Sequence, residues 1–446
     1  MKPIAKKELL NLNGVNVLTA FVLITICFAL WGFANNVTSP LVQSFTKIFN
    51  MSVSEGILVP VVFNLGYFLM AVPAAIFIQR YSFRSGVLVG LALFSVGSLL
   101  FLPARYIGLY PPFLLAYFIL TCGLSFLETS CNPYVYCMGK EDTAVWRLNL
   151  AQAFNPIGNL LGLMIVVNFV QEQLSPMSSA ARSQLTPEQF NIVKDHDLDI
   201  LIQPYLFLAA AALLLLIFIR FTRLPKERQL AAHYGLADLR ASVKKLLKAR
   251  NYREGVVAQF FYVGAQVSCW TFIIQYGIRV FLSEGLAEKA AELEAYQYSV
   301  AAMVFFALGR FACVFLMKYV SPPRLLSIMA IVAVSAVGGA MLFPDRNGLY
   351  CLILVSACMS LMFPTIYGLS LKGIQEDIKI AGAGHIMAIL GGSVFPPLQA
   401  LIIDHGVTLF GVPVTNLSYI IPLLCFCIVA LYGHRTYVRQ YILHID

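Results

Sequence analysis

The chain has 446 residues, of which 59% are hydrophobic and only 12% are charged. Soluble globular proteins have about half apolar and about a quarter charged residues, so this composition excludes a soluble domain and indicates an integral membrane protein. Because one spanning helix takes about 20 residues, the length accommodates about a dozen spans.

The net charge of +9 is concentrated in one segment of the chain. Between Arg220 and Arg253, ten Lys or Arg residues stand against two acids, whereas the remaining charges nearly cancel. A single basic loop between apolar stretches is typical of a cytoplasmic loop, and the alternative role is contact with anionic lipid headgroups. We therefore expect membrane lipid, and no nucleic acid, among the partners of this chain.

Twelve apolar stretches of spanning length follow one another along the chain. The first follows Lys2, Lys6 and Lys7 and lacks a small-residue cleavage site, so it predicts an uncleaved helix rather than a signal peptide. The predicted spans are 15–45, 55–79, 85–103, 110–138, 145–171, 200–222, 253–281, 296–318, 323–343, 348–372, 380–403 and 413–438. The sequence thus predicts an all-α, polytopic membrane protein.

The basic segment divides these spans into six and six. We predict an N-terminal lobe at 1–222, a basic cytoplasmic loop at 223–252 and a C-terminal lobe at 253–446. Weak similarity between the halves, at an offset of about 236 residues, is typical of a two-lobed carrier with its site between the lobes.

Loop charges predict the orientation in the membrane. Loops on the side of the termini carry Lys and Arg, whereas the loops at 172–199 and 282–294 are acidic, so both termini should be cytoplasmic. Within the basic loop, apolar residues recur at helical spacing between lysines, which indicates an amphipathic helix on the membrane surface. These apolar residues are Leu236, Leu239, Val243, Leu246 and Leu247.

Glu128 is an acid in the middle of a predicted span, with no Lys or Arg within four residues. A charged side chain at the bilayer centre costs about 2.5–3.5 kcal/mol on insertion scales. Glu128 is therefore a candidate for a carboxyl group that takes up and releases a proton during transport. The alternative is a carboxylate paired with a cation from another span, such as Arg310.

Amide and aromatic side chains form stripes at helical spacing in spans one, four, five and seven. Amides supply hydrogen-bond donors and acceptors, and aromatic rings supply flat apolar faces, a mixture that suits a sugar. The alternative is hydrogen bonding between helices. The candidate substrate-binding residues are Asn36, Asn132, Gln152, Asn155, Gln259, Tyr262, Gln266 and Trp270.

The other chemical signals are few. His385 lies in a predicted span and is a possible coupling residue, although a packed, hydrogen-bonded histidine is the alternative. The ten cysteines include no Cys-x-x-Cys or Cys/His cluster, so we expect no metal site. No nucleotide-binding or hydrolase motif is present, and we therefore expect no cofactor, no catalytic residues and no enzyme activity.

Four motifs resemble the fucose-galactose-hexose proton symporters of the major facilitator superfamily, and the likeness runs from about residue 20 to 435. The resemblance implies the major facilitator fold, with twelve spans in two six-helix lobes that alternate around one central sugar site. It also places the proton-coupling carboxylate on Glu128 and substrate-binding amides on Gln152, Gln259 and Gln266. The motifs are Leu30–Asn36, Leu124–Pro133, Arg147–Gly158 and Val257–Val267.

The sequence departs from the family pattern in span one. Where the family has an Asp one turn after the Trp-Gly pair, this chain has Ser39. The resemblance implies a bacterial inner-membrane monomer that imports L-fucose or a related hexose with a proton. The missing acid leaves open a proton-independent sugar uniporter or a carrier of another small polar metabolite. A membrane sugar sensor is the alternative from another class.

Overall fold

The computed structural model describes residues 11–442 apart from 13–14, 52–57, 172, 176, 178, 183, 223–235, 375–376 and 405–411. Nearly all of these residues are helical. The strands among them, β1 (Asn11–Leu12) and β2 (Val15–Asn16), form one short antiparallel pair. Eleven helical segments of the described part are long and apolar enough to cross a membrane, which confirms an all-α, polytopic fold.

The first half of the chain contains nine described α-helices. In chain order they are α1 (Leu18–Ile48), α2 (Leu58–Arg80), α3 (Phe83–Leu99), α4 (Phe101–Ile107), α5 (Tyr110–Cys137), α6 (Ala144–Gln152), α7 (Asn155–Ile165), α8 (Ser179–Arg182) and α9 (Pro187–Phe221).

The second half of the described chain contains ten. They are α10 (Leu236–Lys248), α11 (Arg250–Ser283), α12 (Glu288–Leu316), α13 (Pro322–Leu342), α14 (Arg346–Met359), α15 (Met362–Ser370), α16 (Ile378–Met387), α17 (Gly391–Asp404), α18 (Val414–Leu417) and α19 (Ile420–Tyr437).

The chain divides into two compact units. Of the described residues, those at 11–135 and 154–222 form the first unit, and those at 136–153 and 236–442 form the second. The lobe boundaries expected at 222 and 253 stay a prediction.

The span expected at 145–171 is interrupted rather than continuous. The helix α6 ends at Gln152, α7 begins at Asn155, and a π-helical turn continues it over Val166–Gln171. Pro156 lies in the first turn of α7, where its missing N–H leaves the carbonyl four residues earlier without its helical partner.

Close helix packing in the first unit depends on glycine at two places that matter for the site. A Cβ on Gly158 of α7 would overlap the Ala29 carbonyl of α1, and a Cβ on Gly66 of α2 would overlap the Thr121 hydroxyl of α5. Small residues permit such backbone approach between membrane helices. Glycine thus brings α7 against α1, and α2 against α5.

The helix α9 begins thirteen residues before the span expected at 200. Thr186 and Gln189 form a reciprocal capping box, and Pro187 occupies the first turn. Farther along α9, the carboxylate of Asp197 pairs with Arg182 of α8 at 2.5 Å and accepts a hydrogen bond from the Ser175 backbone N–H at 2.9 Å. This buried ion pair joins α8 to α9.

The predicted amphipathic helix is present as α10. Its buried side carries Ser242 and Leu246, and the Ser242 hydroxyl donates to Asp377 Oδ1 at 2.6 Å. Lys245 forms an ion pair with the same carboxylate at 3.0 Å. One face of α10 is therefore packed on its own unit, and its expected position on a membrane surface stays a prediction.

Candidate functional site

Glu128 lies on α5 with 4% of its surface exposed. The hydroxyl of Tyr67, on α2, donates to its Oε1 at 3.0 Å, and the Ser125 hydroxyl donates to the Tyr67 backbone carbonyl at 3.1 Å. These two hydrogen bonds hold the Tyr67 phenol beside the acid.

Glu128 is the sole acidic residue in the sequences of the first-unit helices α1, α2, α3, α5 and α7. The basic residues of these helices, Lys47, Arg80 and Arg84, lie in terminal turns. Among the described residues of its unit, no cation lies within ion-pair distance of Glu128; Tyr67 is the hydrogen-bonding partner found there.

Pairing with Arg310, the alternative for Glu128, stays untested. Arg310 belongs to the second unit, and its guanidinium donates to the carbonyls of Gln152 and Ser360, also in that unit. The structure thus shows a separate set of partners for each residue within its own unit.

Two of the asparagines predicted in the first unit donate to backbone carbonyls of helices. The Asn132 amide donates to the Glu128 backbone carbonyl at 3.0 Å. The Asn155 amide donates to the Phe28 carbonyl of α1 at 3.2 Å, and Asn159 donates to the Asn155 carboxamide oxygen at 3.3 Å. Asn36 lies in α1, but its side chain is outside the described part of the structure.

In the second unit, Gln152 lies at the end of α6. Arg310 Nη1 donates to the Gln152 backbone carbonyl at 3.1 Å and to its carboxamide oxygen at 3.4 Å. On the same helix, the Asn149 amide donates to the Thr365 hydroxyl of α15 at 3.1 Å, and the Trp146 indole donates to the Val314 carbonyl of α12 at 3.0 Å. These bonds tie α6 to α12 and α15.

Aromatic residues of α11 surround the same part of the second unit. The Tyr262 hydroxyl donates to the Met359 carbonyl at 3.0 Å, and the Trp270 indole donates to the Ser356 hydroxyl at 3.0 Å. The Trp270 ring meets Phe306 edge to face at a centroid distance of 4.9 Å. The ring of Phe306 in turn lies 4.9 Å from the Arg310 guanidinium.

Gln259 is the buried amide of this group with unused hydrogen-bonding capacity. It is fully buried on α11, and neither its oxygen nor its nitrogen has a hydrogen-bond partner among the described residues. A buried unpaired polar group costs about 1–3 kcal/mol, so this amide suits a site that a polar ligand completes. Gln266, two turns along, is half-buried.

His385 is fully buried on α16, between the rings of Tyr252 and Tyr367. Its Nε2 hydrogen-bonds with the Ser370 hydroxyl. Because that hydroxyl already donates to the Tyr367 carbonyl at 2.8 Å, the histidine is the donor in this contact. The surroundings are those of a packed histidine, and a coupling role stays a prediction.

Sequence reasoning missed two contributors to this arrangement. Tyr67 is an aromatic residue in an apolar stretch, and its sole signal is the adjacent Gly66, which permits the close approach to α5. Arg310 was considered as a partner for Glu128, and its contact with Gln152 was not anticipated. The signal for that contact is Pro156, which has no N–H to donate to the Gln152 carbonyl.

Comparison with known proteins identifies the family. The profile of the Major Facilitator Superfamily matches residues 24–396. The chain belongs to this superfamily. It is 40% identical over 422 residues to the L-fucose-proton symporter of Haemophilus influenzae, covering 94% of this chain and 96% of that protein.

Two further similarities point in the same direction. The chain is 28% identical over 417 residues to a glucose/galactose transporter of Brucella abortus, covering 92% of both chains. The crystal structure of the Escherichia coli fucose:proton symporter FucP superposes with a TM-score of 0.83 at 29% identity, covering 94% of this chain and 99% of that one. The chain is thus a multi-pass membrane transporter, and the expected fold is confirmed.

Proposed function

We propose that this transporter imports a hexose together with a proton by alternating access, with L-fucose as the first candidate sugar. The observation that carries the proposal is Glu128, an acid buried within a membrane-crossing helix whose described partner is the neutral phenol of Tyr67. The similarity to sugar-proton symporters supports this assignment of a proton to Glu128.

The proposed role of Glu128 follows from the cost of a buried charge. Leaving an ionised carboxylate in the membrane interior is costly, and protonation removes that cost. Protonation from outside therefore favours the movement that carries the sugar inward, and release of the proton inside resets the carrier.

Sugar binding is assigned to the amides and aromatic rings that the sequence singled out. Gln259 has free hydrogen-bonding capacity, and Gln152 presents a carboxamide oriented by Arg310. Tyr262 and Trp270 supply ring faces in the same unit, which suit the C–H faces of a hexose. Asn36, Asn132, Asn155 and Gln266 complete the proposed set.

The decisive experiment uses the purified protein in liposomes that contain a pH-sensitive dye. Addition of L-fucose outside, and then of other hexoses, should acidify the interior if sugar and proton move together. Sugar entry without a pH change would overturn proton coupling and favour a uniporter, the outcome suggested by Ser39 in place of the family's acid.

The variant Glu128→Gln tests the assignment of the proton. We expect it to retain exchange of sugar across the membrane and to lose accumulation driven by a pH gradient, because a neutral amide cycles without a proton. Glu292→Gln, which removes an exposed acid at the start of α12, is the matched control and should accumulate sugar normally. Normal gradient-driven accumulation by Glu128→Gln would refute the role of Glu128.

We further propose that the carrier is a monomer in the bacterial inner membrane, in contact with lipid and with both termini cytoplasmic. The acidic segments at 172–199 and 282–294 then face the outside, and the basic segment before α11 faces the cytoplasm.

A further inference from the structure

Two backbone carbonyls of the second unit lack a helical donor because a proline stands four residues later in the chain. Pro156 has no N–H to donate to the Gln152 carbonyl, and Pro364 of α15 has none for the Ser360 carbonyl. The backbone stays in the right-handed helical region at Ala153, Phe154, Ser360 and Leu361. Each freed carbonyl is therefore followed by residues in a helical backbone conformation.

One side chain supplies the missing donors at both places. Arg310 Nε donates to the Ser360 carbonyl, and Arg310 Nη1 donates to the Gln152 carbonyl at 3.1 Å. The side chain is 3% exposed, so water does not compete for these bonds. In membranes, proline is tolerated in a helix where a neighbouring helix satisfies the freed carbonyl, and here α12 does so twice.

The same guanidinium also orients a proposed substrate-binding side chain. Nη1 contacts the Gln152 carboxamide oxygen at 3.4 Å as well as its carbonyl. The ring of Phe306, one turn earlier on α12, lies 4.9 Å from the guanidinium carbon and limits its movement.

We propose that Arg310 is a positioning residue that bridges the two proline-freed carbonyls and thereby fixes the Gln152 carboxamide for the sugar. The role of Gln152 in this inference rests on the proposed function, whereas the bridging of the carbonyls does not. A lysine cannot replace the bridge, because its single ammonium lacks the rigid fork of donors.

The test restores the missing N–H groups and asks whether Arg310 becomes less necessary. We expect Arg310→Lys to lower the thermal midpoint of the purified carrier in detergent, and Pro156→Ala or Pro364→Ala to reduce that loss, since each supplies a donor in the chain. Pro204→Ala is the matched control. It restores an N–H within α9, where Arg310 has no described contact, and should leave the loss unchanged.

The KM for sugar transport is a measurement that would not change if Arg310 had only a structural role. Arg310→Lys should raise the KM for L-fucose exchange about tenfold. A change of this size corresponds to the loss of one charge-assisted hydrogen bond. In a carrier that already has Gln152→Ala, the additional change Arg310→Lys should raise the KM no further. Pro156→Ala should partly restore the KM, whereas Pro204→Ala should not.

The outcomes separate the two proposals. The bridge is refuted if Pro156→Ala and Pro364→Ala raise the thermal midpoint of the Arg310→Lys variant no more than Pro204→Ala does. This comparison holds even where Arg310→Lys alone folds poorly. If they protect the thermal midpoint but Arg310→Lys raises the KM equally with and without Gln152→Ala, the positioning of Gln152 is refuted. Absence of hexose transport by the unmodified protein refutes the proposed function and leaves the thermal test of the bridge intact.

Discussion

Gly158→Ala tests how closely α7 must approach α1. The added Cβ would overlap the Ala29 backbone carbonyl, and the next nearest atoms belong to Ala29 and Phe33 of the same helix. Because backbone cannot rotate away as a side chain does, the helices must separate. Overpacking of this kind costs about 1–3 kcal/mol. A displacement of about 1 Å in a binding or catalytic site is enough to cost up to about 100-fold in activity.

The matched control is Gly338→Ala in α13, where a Cβ would meet nothing within 4 Å. Both changes replace glycine by alanine inside a helix, which alone favours the helix by about 0.5–1 kcal/mol. We expect Gly338→Ala to hold or raise the thermal midpoint in detergent, and Gly158→Ala to lower both the midpoint and the rate of L-fucose exchange in liposomes. Equal behaviour of the two variants would refute the argument from close packing.

Two further predictions concern buried cations and their partners. Asp197→Asn should destabilise the carrier by about 3–5 kcal/mol because it leaves Arg182 buried without its counter-charge. Asp199 pairs with Arg105 and is 55% exposed, so Asp199→Asn should lower the free energy of unfolding by at most about 1 kcal/mol. Equal thermal midpoints for Asp197→Asn and Asp199→Asn would contradict this difference. Arg147→Lys should cost about 1–3 kcal/mol, since one ammonium cannot serve the Tyr136 and Lys140 carbonyls and the Thr143 hydroxyl together. Arg220→Lys at an exposed helix end is its control, and a similar midpoint for both variants would contradict that role of Arg147.

The fold was largely predictable because membrane helices are specified by length and hydrophobicity. The exceptions are instructive. The helix α9 begins at Pro187 rather than near 200, because its first turns are polar and their start is encoded by a capping box instead of by apolar residues. The prediction that Gln152 and Asn155 line one stripe of span five assumed an unbroken helix. The helix is instead interrupted after Gln152, and the two residues belong to different compact units.

The candidate site was predictable where a residue is unusual for its surroundings. Glu128 is recognisable because an acid in an apolar stretch is rare and costly. Tyr67 is not recognisable in that way, since a tyrosine among apolar residues is ordinary and its hydrogen bond joins positions 61 residues apart. Gln259 was found by its spacing, but its unpaired amide is visible only in three dimensions.

Backbone hydrogen bonding gives a more general route from sequence to such contacts. Every proline inside a membrane helix frees a carbonyl four residues earlier, and in hydrocarbon that carbonyl must find a donor. The sequence therefore predicts that the carbonyls of Gln152 and Ser360 need hydrogen-bond donors, but it does not predict which residue provides them. A buried arginine in a neighbouring span has several donors and no acceptor, so Arg310 meets that need at both carbonyls. The same pairing, an arginine within a span and a carbonyl freed by a proline, can be sought in other carrier sequences as a prediction of contact. The variants Pro156→Ala and Pro364→Ala decide whether the contact stabilises the carrier or is only a matter of geometry.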